Sequence, residues 1–190
     1  MVQEGQGRKK YPSDLTDEQW AIVAPLIPPA KQSPRGGRPR KVNMREVLHT
    51  LFYLHRSGCQ WDMLPHDVLP KSTVYDSFVQ WRDDGTWAKM VEVLRERIRV
   101  AAGREPTPSA VCMESQSVKT TERGGPERGD DGGKKINGRK RHLLVDTLGL
   151  LLAVLMTSAG LDDGAAAPLL LGHVHPSHCP RLVTIFADQQ

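Results

Sequence analysis

Val111-Cys112-Met113-Glu114, Gly138-Arg139-Lys140-Arg141-His142 and Asp146-Thr147-Leu148-Gly149 belong to one stretch, residues 111–153, whose reading decides the fold. The first piece is a short apolar run ending in a carboxylate, with a Gly-rich basic loop after it. The second closes that loop and enters an apolar segment. The third is turn chemistry, an Asp able to bond the backbone two residues on, followed shortly by Gly. Short apolar runs bounded by such signals read as strands, and Ala110–Glu114, Lys140–Asp146, Leu150–Thr157 and Leu182–Ala187 fit that description. A helix from about Asp163 to Leu171 falls between the last two, with Asp162 and Asp163 placed to cap it. A carboxylate at a strand end beside concentrated positive charge suits metal-assisted chemistry on a phosphate backbone.

Ahead of this stretch the periodicity is helical. Thr16 and Gln19 have capping-box spacing, and Leu15 and Trp20 occupy the hydrophobic-staple positions of a helix that turns Trp20, Ile22, Val23 and Leu26 inward and stops at Pro28-Pro29. A Pro/Gly/basic arm covers 30–41. A second helix follows over 42–57, with Val47, Leu48, Leu51, Phe52 and Leu54 on one face and Gly58 placed to end it. A third has Ser72 as N-cap and Val74, Tyr75, Phe78 and Trp81 on one face. A fourth runs from Thr86 to Ala102, and 103–108 reads as a linker. The resulting expectation is an α+β chain: a polar, disordered tail at 1–10, a helical, helix–turn–helix-like domain at 11–104, and a ribonuclease-H-like α/β domain at 105–190, incomplete after its fourth strand.

The charge is unevenly spread. Residues 1–104 hold 17 Lys/Arg against 12 Asp/Glu, whereas 105–190 hold 9 against 10. The surplus points to an acidic partner for the first half, nucleic acid above all. Three scattered cysteines, Cys59, Cys112 and Cys179, with no secretory start, exclude a disulfide scaffold and favour reduced thiols in a cytoplasm. The longest apolar run, Leu148–Met156, is about half of what a membrane span requires, so no membrane is expected. His173, His175, His178 and Cys179 lack a second ligand pair at zinc-finger spacing and read as a surface loop. The Gly-rich basic loop is not a nucleotide phosphate loop, because Arg128 stands where its first Gly belongs and Lys135 where Ser or Thr is required.

The run Glu114-Ser115-Gln116-Ser117-Val118-Lys119-Thr120, then Gly132-Gly133-Lys134-Lys135, Gly138-Arg139-Lys140-Arg141-His142, Val145-Asp146 and Gly149-Leu150-Leu151, closely resembles the core of bacterial insertion-sequence transposases of the DDE type. One position departs: Glu114 stands where the family has its first catalytic Asp. The resemblance implies that Glu114 and Asp188, which follows the fourth strand, are two of three acidic, catalytic, metal-binding positions. The third, a later Glu, has no counterpart before Gln190. It implies Mg2+ as the cofactor and DNA strand cleavage and transfer as the parent activity. Trp61, Leu64-Pro65, Phe78, Trp81, Gly85 and Trp87 match recurring positions ahead of that core.

Candidate DNA contacts follow from charge and placement. Arg38, Arg40 and Lys41 lie on an arm suited to the minor groove. Lys71, Gln80 and Arg82 lie on or beside a recognition-helix candidate, Ser72–Trp81. Lys134, Lys135, Arg139, Lys140 and Arg141 lie in the basic loop next to the catalytic strand. The expected partners are double-stranded DNA of element terminal repeats and a second copy or the C-terminal part of a transposase. The chain alone is expected to be inactive. The alternative is a non-catalytic DNA-binding remnant or a repressor of the parent enzyme.

Overall fold

The computed structural model describes residues 8–29, 41–121, 125, 127–174 and 176–187, in two compact units that divide between Met90 and Val91. In the first unit α1 (Asp17–Val23) starts with the expected capping box, Thr16 and Gln19 each bonding the other's backbone. The α-helical part is shorter than expected. Pro25 takes an early position in a 3-10 turn over Ala24–Leu26, and Ile22 is 38% exposed rather than inward. Helix α2 (Met44–Ser57) is capped by Asn43 and ended by Gly58, whose φ of 66° is left-handed. Helix α3 (Lys71–Asp83) begins one residue before Ser72, with Pro70 at the N-cap position and no side-chain cap.

The first core gathers Val23, Val47, Leu48, Leu51, Val74, Trp81 and Met90, with Leu15, Trp20, Phe78 and Trp87 packed against it. Trp81 and Trp87 meet edge to face at 5.1 Å, and the Trp87 indole donates to the Phe78 carbonyl at 3.2 Å. Most of the aromatic positions singled out in the sequence are thus core. Tyr75 is the exception, exposed and edge-on to Trp61. Arg8, expected in a loose tail, is fixed instead. Its guanidinium donates to both Asp14 oxygens at 2.8 and 3.0 Å and to Glu46 at 2.9 Å, and it lies over the Tyr11 ring. Burial works against the Asp14 carboxylate, but the bonds from Arg8 and the Tyr11 amide outweigh it and hold the group below the usual range.

Helix α4 (Thr86–Ala101) contributes its first turn to that core, while the residues from Val91 onward belong to the second unit. Five strands follow: β1 (Ala110–Lys119), β2 (Gly129–Asp131), β3 (Ile136–Asp146), β4 (Leu151–Ser158) and β5 (Thr184–Ala187), with α5 (Asp163–Gly172) between the last two. β3 lies between β1 and β4, antiparallel to both, and β5 lies parallel to β1 on its far edge. This is the expected order, with the short β2 added against the start of β3. β1 runs five residues past Glu114, so Glu114 sits within the strand.

Alternation along the strands makes two unlike faces. Val111, Met113, Ser115 and Ser117 of β1 pair with Asp146, Leu144, His142 and Lys140 of β3, and α5 covers this inner face with Ala166 and Leu170. The other face carries Cys112, Glu114, Gln116 and Val118 beside Val145, Leu143, Arg141 and Arg139. Gly138 has a steric reason: a Cβ there would run into the Val118 carbonyl across the strand pair. The segment 103–108, expected as a free linker, is tied down. Arg99 donates to the Glu105 carbonyl at 2.8 Å, and Pro108 is fully buried.

Candidate active site

The parallel pair β1·β5 ends at the register Met113↔Ala187, and β1 then continues without a described strand on that edge. A cleft of about 390 Å³ opens there, lined by Met113, Glu114, Ser115, His142, Asp163, Gly164, Ala167 and Ala187. At the end of the described β1–β5 pairing, residues of both β1 faces line it: Met113 and Ser115 from one, Glu114 from the other. Glu114 is exposed and, among the described residues, has no ion-pair partner. Asp188 follows Ala187 directly and lies outside the described residues, as do Arg38 and Arg40.

Beneath the cleft lies a polar network that the sequence did not announce. Lys140 is 7% exposed. Its ammonium group is 3.1 Å from Asp163 Oδ1 and 3.8 Å from Asp131 Oδ2, and it donates to the Leu161 carbonyl at 3.0 Å. Ser115 donates to Asp163 at 2.7 Å and Ser117 to Asp131 at 2.5 Å. Burial alone would raise the Asp163 carboxyl, but the bonds from Ser115 and Lys140 hold it below the usual carboxylate range. Asp131 is likewise lowered, by Ser117 first and the Lys134 amide second. His142, 2% exposed, has its imidazole pushed down by burial, so its neutral form is favoured. Its Nε2 is 3.0 Å from the Thr157 hydroxyl, which donates to the Ser158 carbonyl, and its Nδ1 is 3.7 Å from Asp163.

Strand alternation divides the basic residues expected to meet DNA. Arg141 is exposed on the Glu114 face and donates to Gln116; Arg139, half-buried, lies on the same face. Lys135 is exposed with φ 53°, and Lys134 gives its amide to Asp131 at 3.0 Å. Lys140 points the opposite way and is neutralised, which removes it from the patch in which the sequence placed it.

In the first unit Lys41 and Gln80 are exposed, while Lys71 pairs with Asp62 and Arg82 with Asp83 at 2.7 Å. The whole segment 58–70 separates α2 from α3, much longer than the roughly three- to four-residue turn of a compact helix–turn–helix. The tight connection is the one between α3 and α4, through Asp84 and Gly85, where the Thr86 amide and hydroxyl both bond Asp84.

Asp162 caps α5 as expected, accepting from the Gly164 amide at 2.8 Å. Asp163, expected to share that task, is instead turned to the sheet. Asp146 performs the expected turn chemistry, accepting from the Leu148 and Leu150 amides at 2.8 and 2.9 Å. Of the His/Cys loop, His178 lies 3.6 Å from Glu92, Cys179 is buried, and His175 lies outside the described residues.

Two families match in sequence order without overlap: transposases of the IS4/5 family (DUF4096) over residues 15–91 and the transposase DDE domain over residues 105–190. The chain belongs to the insertion-sequence DDE transposases. Its fold is α+β, with a ribonuclease-H-like second part. It is similar to an uncharacterized 16.2 kDa protein of insertion element IS402 from Burkholderia cepacia, at 28% identity over 55% of this chain and 72% of the relative. It is also similar to the uncharacterized protein y4sN of Sinorhizobium fredii (strain NBRC 101917 / NGR234), at 30% identity over 42% of this chain and 62% of that relative, less than two thirds of its length. No solved structure matches. No helix among the described residues is long and apolar enough to cross a membrane.

DDE domains are generally metal-dependent. Here no three His, Cys, Asp or Glu side chains among the described residues are grouped to hold a metal ion. The second acid of the cleft, Asp163, is engaged by Lys140 and Ser115. The described donors therefore do not by themselves make a two-metal cage.

Proposed function

We propose that this chain acts on double-stranded DNA at the ends of an insertion element, its helical part (11–104) docking the duplex and its second part (105–190) bringing the cleft to the phosphate backbone. The supporting observation is the face of β1 and β3 on which Glu114, without an ion-pair partner among the described residues, lies on the same side as Arg139 and Arg141. Guanidinium groups bond phosphate oxygens in a fork and locate the duplex, and a carboxylate beside them is where strand cleavage chemistry would sit. Lys41, Lys71, Gln80, Arg82, Lys134 and Lys135 are the further exposed or loop-borne contacts of this reading, with Arg38 and Arg40 on the arm. Magnesium at Glu114 and Asp188 is part of the proposal.

A second reading, a DNA-binding protein without strand cleavage that occupies terminal repeats or restrains an active transposase, draws on Glu114 itself. A side chain one methylene longer than Asp carries its oxygens to a different place, and small displacements at a reacting centre are costly. Gel shifts and cleavage of a labelled terminal-repeat duplex, with magnesium and with manganese, separate the two. Binding with cutting supports the enzyme, binding without cutting supports the second reading, and no binding at low salt overturns both.

A further inference from the structure

Beyond Met113, β1 has β3 on one edge and, among the described residues, no strand on the other. A strand carrying a site residue needs a firm seat, because a few tenths of an ångström at Glu114 change what its carboxylate reaches. That seat is present on the inner face. The hydroxyls of Ser115 and Ser117, the residues on either side of Gln116, are each held by a carboxylate, Asp163 from α5 and Asp131 from β2. Both carboxylates are joined to one ammonium, Lys140 of β3, which also donates to the Leu161 carbonyl in the loop between β4 and α5. The Lys140 and Asp131 side chains are 9% and 11% exposed, whereas Asp163, at 39%, also meets water.

We propose that Lys140 is a positioning residue for Glu114: a buried cation that brackets β1 from its inner face and fixes the strand at the open cleft. The inference rests on the reading of Glu114 as a site residue, and it reassigns the middle base of Gly138-Arg139-Lys140-Arg141-His142. Its two neighbours face the Glu114 side, while Lys140 sets the place of the strand between them. Charge is required, because two carboxylates face it. Length is required, because the ammonium must cross from β3 to α5. Arginine meets both needs more nearly than any other residue.

The test is amide hydrogen exchange, read by NMR on the full chain, for the wild type, Lys140→Met, Lys140→Arg and Ser115→Ala. Removing a charge-assisted bond network should speed exchange at Glu114–Ser117 about tenfold or more. In Lys140→Met the amides of Leu143–Val145 and of α2 should stay near wild type. Lys140→Arg should restore most of the protection, and Ser115→Ala should loosen the same four residues more mildly. Should Lys140→Met fail to fold, Ser115→Ala and Lys140→Arg still decide. Uniform acceleration through the sheet, or no local change in Ser115→Ala, overturns the bracket. This readout needs neither DNA nor metal. A wild-type chain that fails to shift terminal-repeat DNA counts against the proposed function, and the exchange pattern then judges the bracket alone.

Discussion

Arg99 of α4 and Asp146 at the end of β3 form an ion pair shut off from solvent, their side chains 6% and 0% exposed. Asp146 spends one oxygen on this pair and the other on the Leu148 and Leu150 amides of the β3–β4 turn, so one carboxylate shapes the hairpin and anchors α4 to it. Arg99 is likewise shared, its Nε donating to the Glu105 carbonyl.

Removing one partner strands the other as a buried charge. Arg99→Met should cost about 3 kcal/mol of stability, and Asp146→Ala at least as much, because it also frees two turn amides. Urea unfolding of the full chain checks this. The double variant should cost clearly less than the two singles together, and full additivity would show the pair to be uncoupled.

Acid should weaken the second unit through His142. Burial depresses its imidazole below the ordinary 6.5, so the unfolded chain takes up this proton more readily than the folded one. Stability is therefore complete above about pH 6.5 and falls as pH is lowered through that value toward the folded pKa. His142→Gln should flatten the slope between pH 7 and pH 5 in urea midpoints. An unchanged slope would assign the acid sensitivity to other groups.

Gly138→Ala should be among the most damaging small changes in the chain. The added methyl meets backbone of β1 rather than a flexible side chain, so the β1–β3 pair must part or shift. A loss of about 3 kcal/mol or an insoluble product is expected. A thermal midpoint within a degree or two of wild type would refute the packing described at this position.

DNA binding should separate the neighbouring bases of β3. Arg141→Ala should weaken duplex binding uniformly across sequences and lower the slope of log affinity against log salt by about one. Lys140→Arg should leave that slope unchanged, since the residue is turned inward. Equal slope changes for both, measured by salt titration of a gel shift, would mean that Lys140 reaches phosphate after all.

The second reading, DNA binding without strand cleavage, predicts that cutting is undetectable. Glu114 departs from the family's Asp, and Asp163, the other described acid of the cleft, is engaged by Lys140. A loss of several kcal/mol at the transition state is roughly 10³-fold in rate. Magnesium- or manganese-dependent cutting of a terminal-repeat duplex that disappears in Glu114→Gln would reverse this expectation.

Local signals in the chain were enough for its elements. Thr16 and Gln19 announced the start of α1, Gly58 the end of α2, Asp162 the start of α5 and Asp146-Thr147-Leu148-Gly149 a hairpin, because caps and turns are decided by residues within about four positions of one another. The motif run from Glu114 to Leu151 was enough for the family and its ribonuclease-H-like fold. What the chain could not disclose was which face each motif residue takes and which charge it meets. Arg139, Lys140 and Arg141 are equivalent as a basic run, yet pleating sends the middle one inward, and only the seating of α5 over that face brings Asp163 to it. Arg99 finds Asp146 across 47 positions, and Ser115 finds Asp163 across 48. Such pairings carry no spacing rule, because they are set by the packing of separate elements and come into being only when the sheet and its helices close on one another.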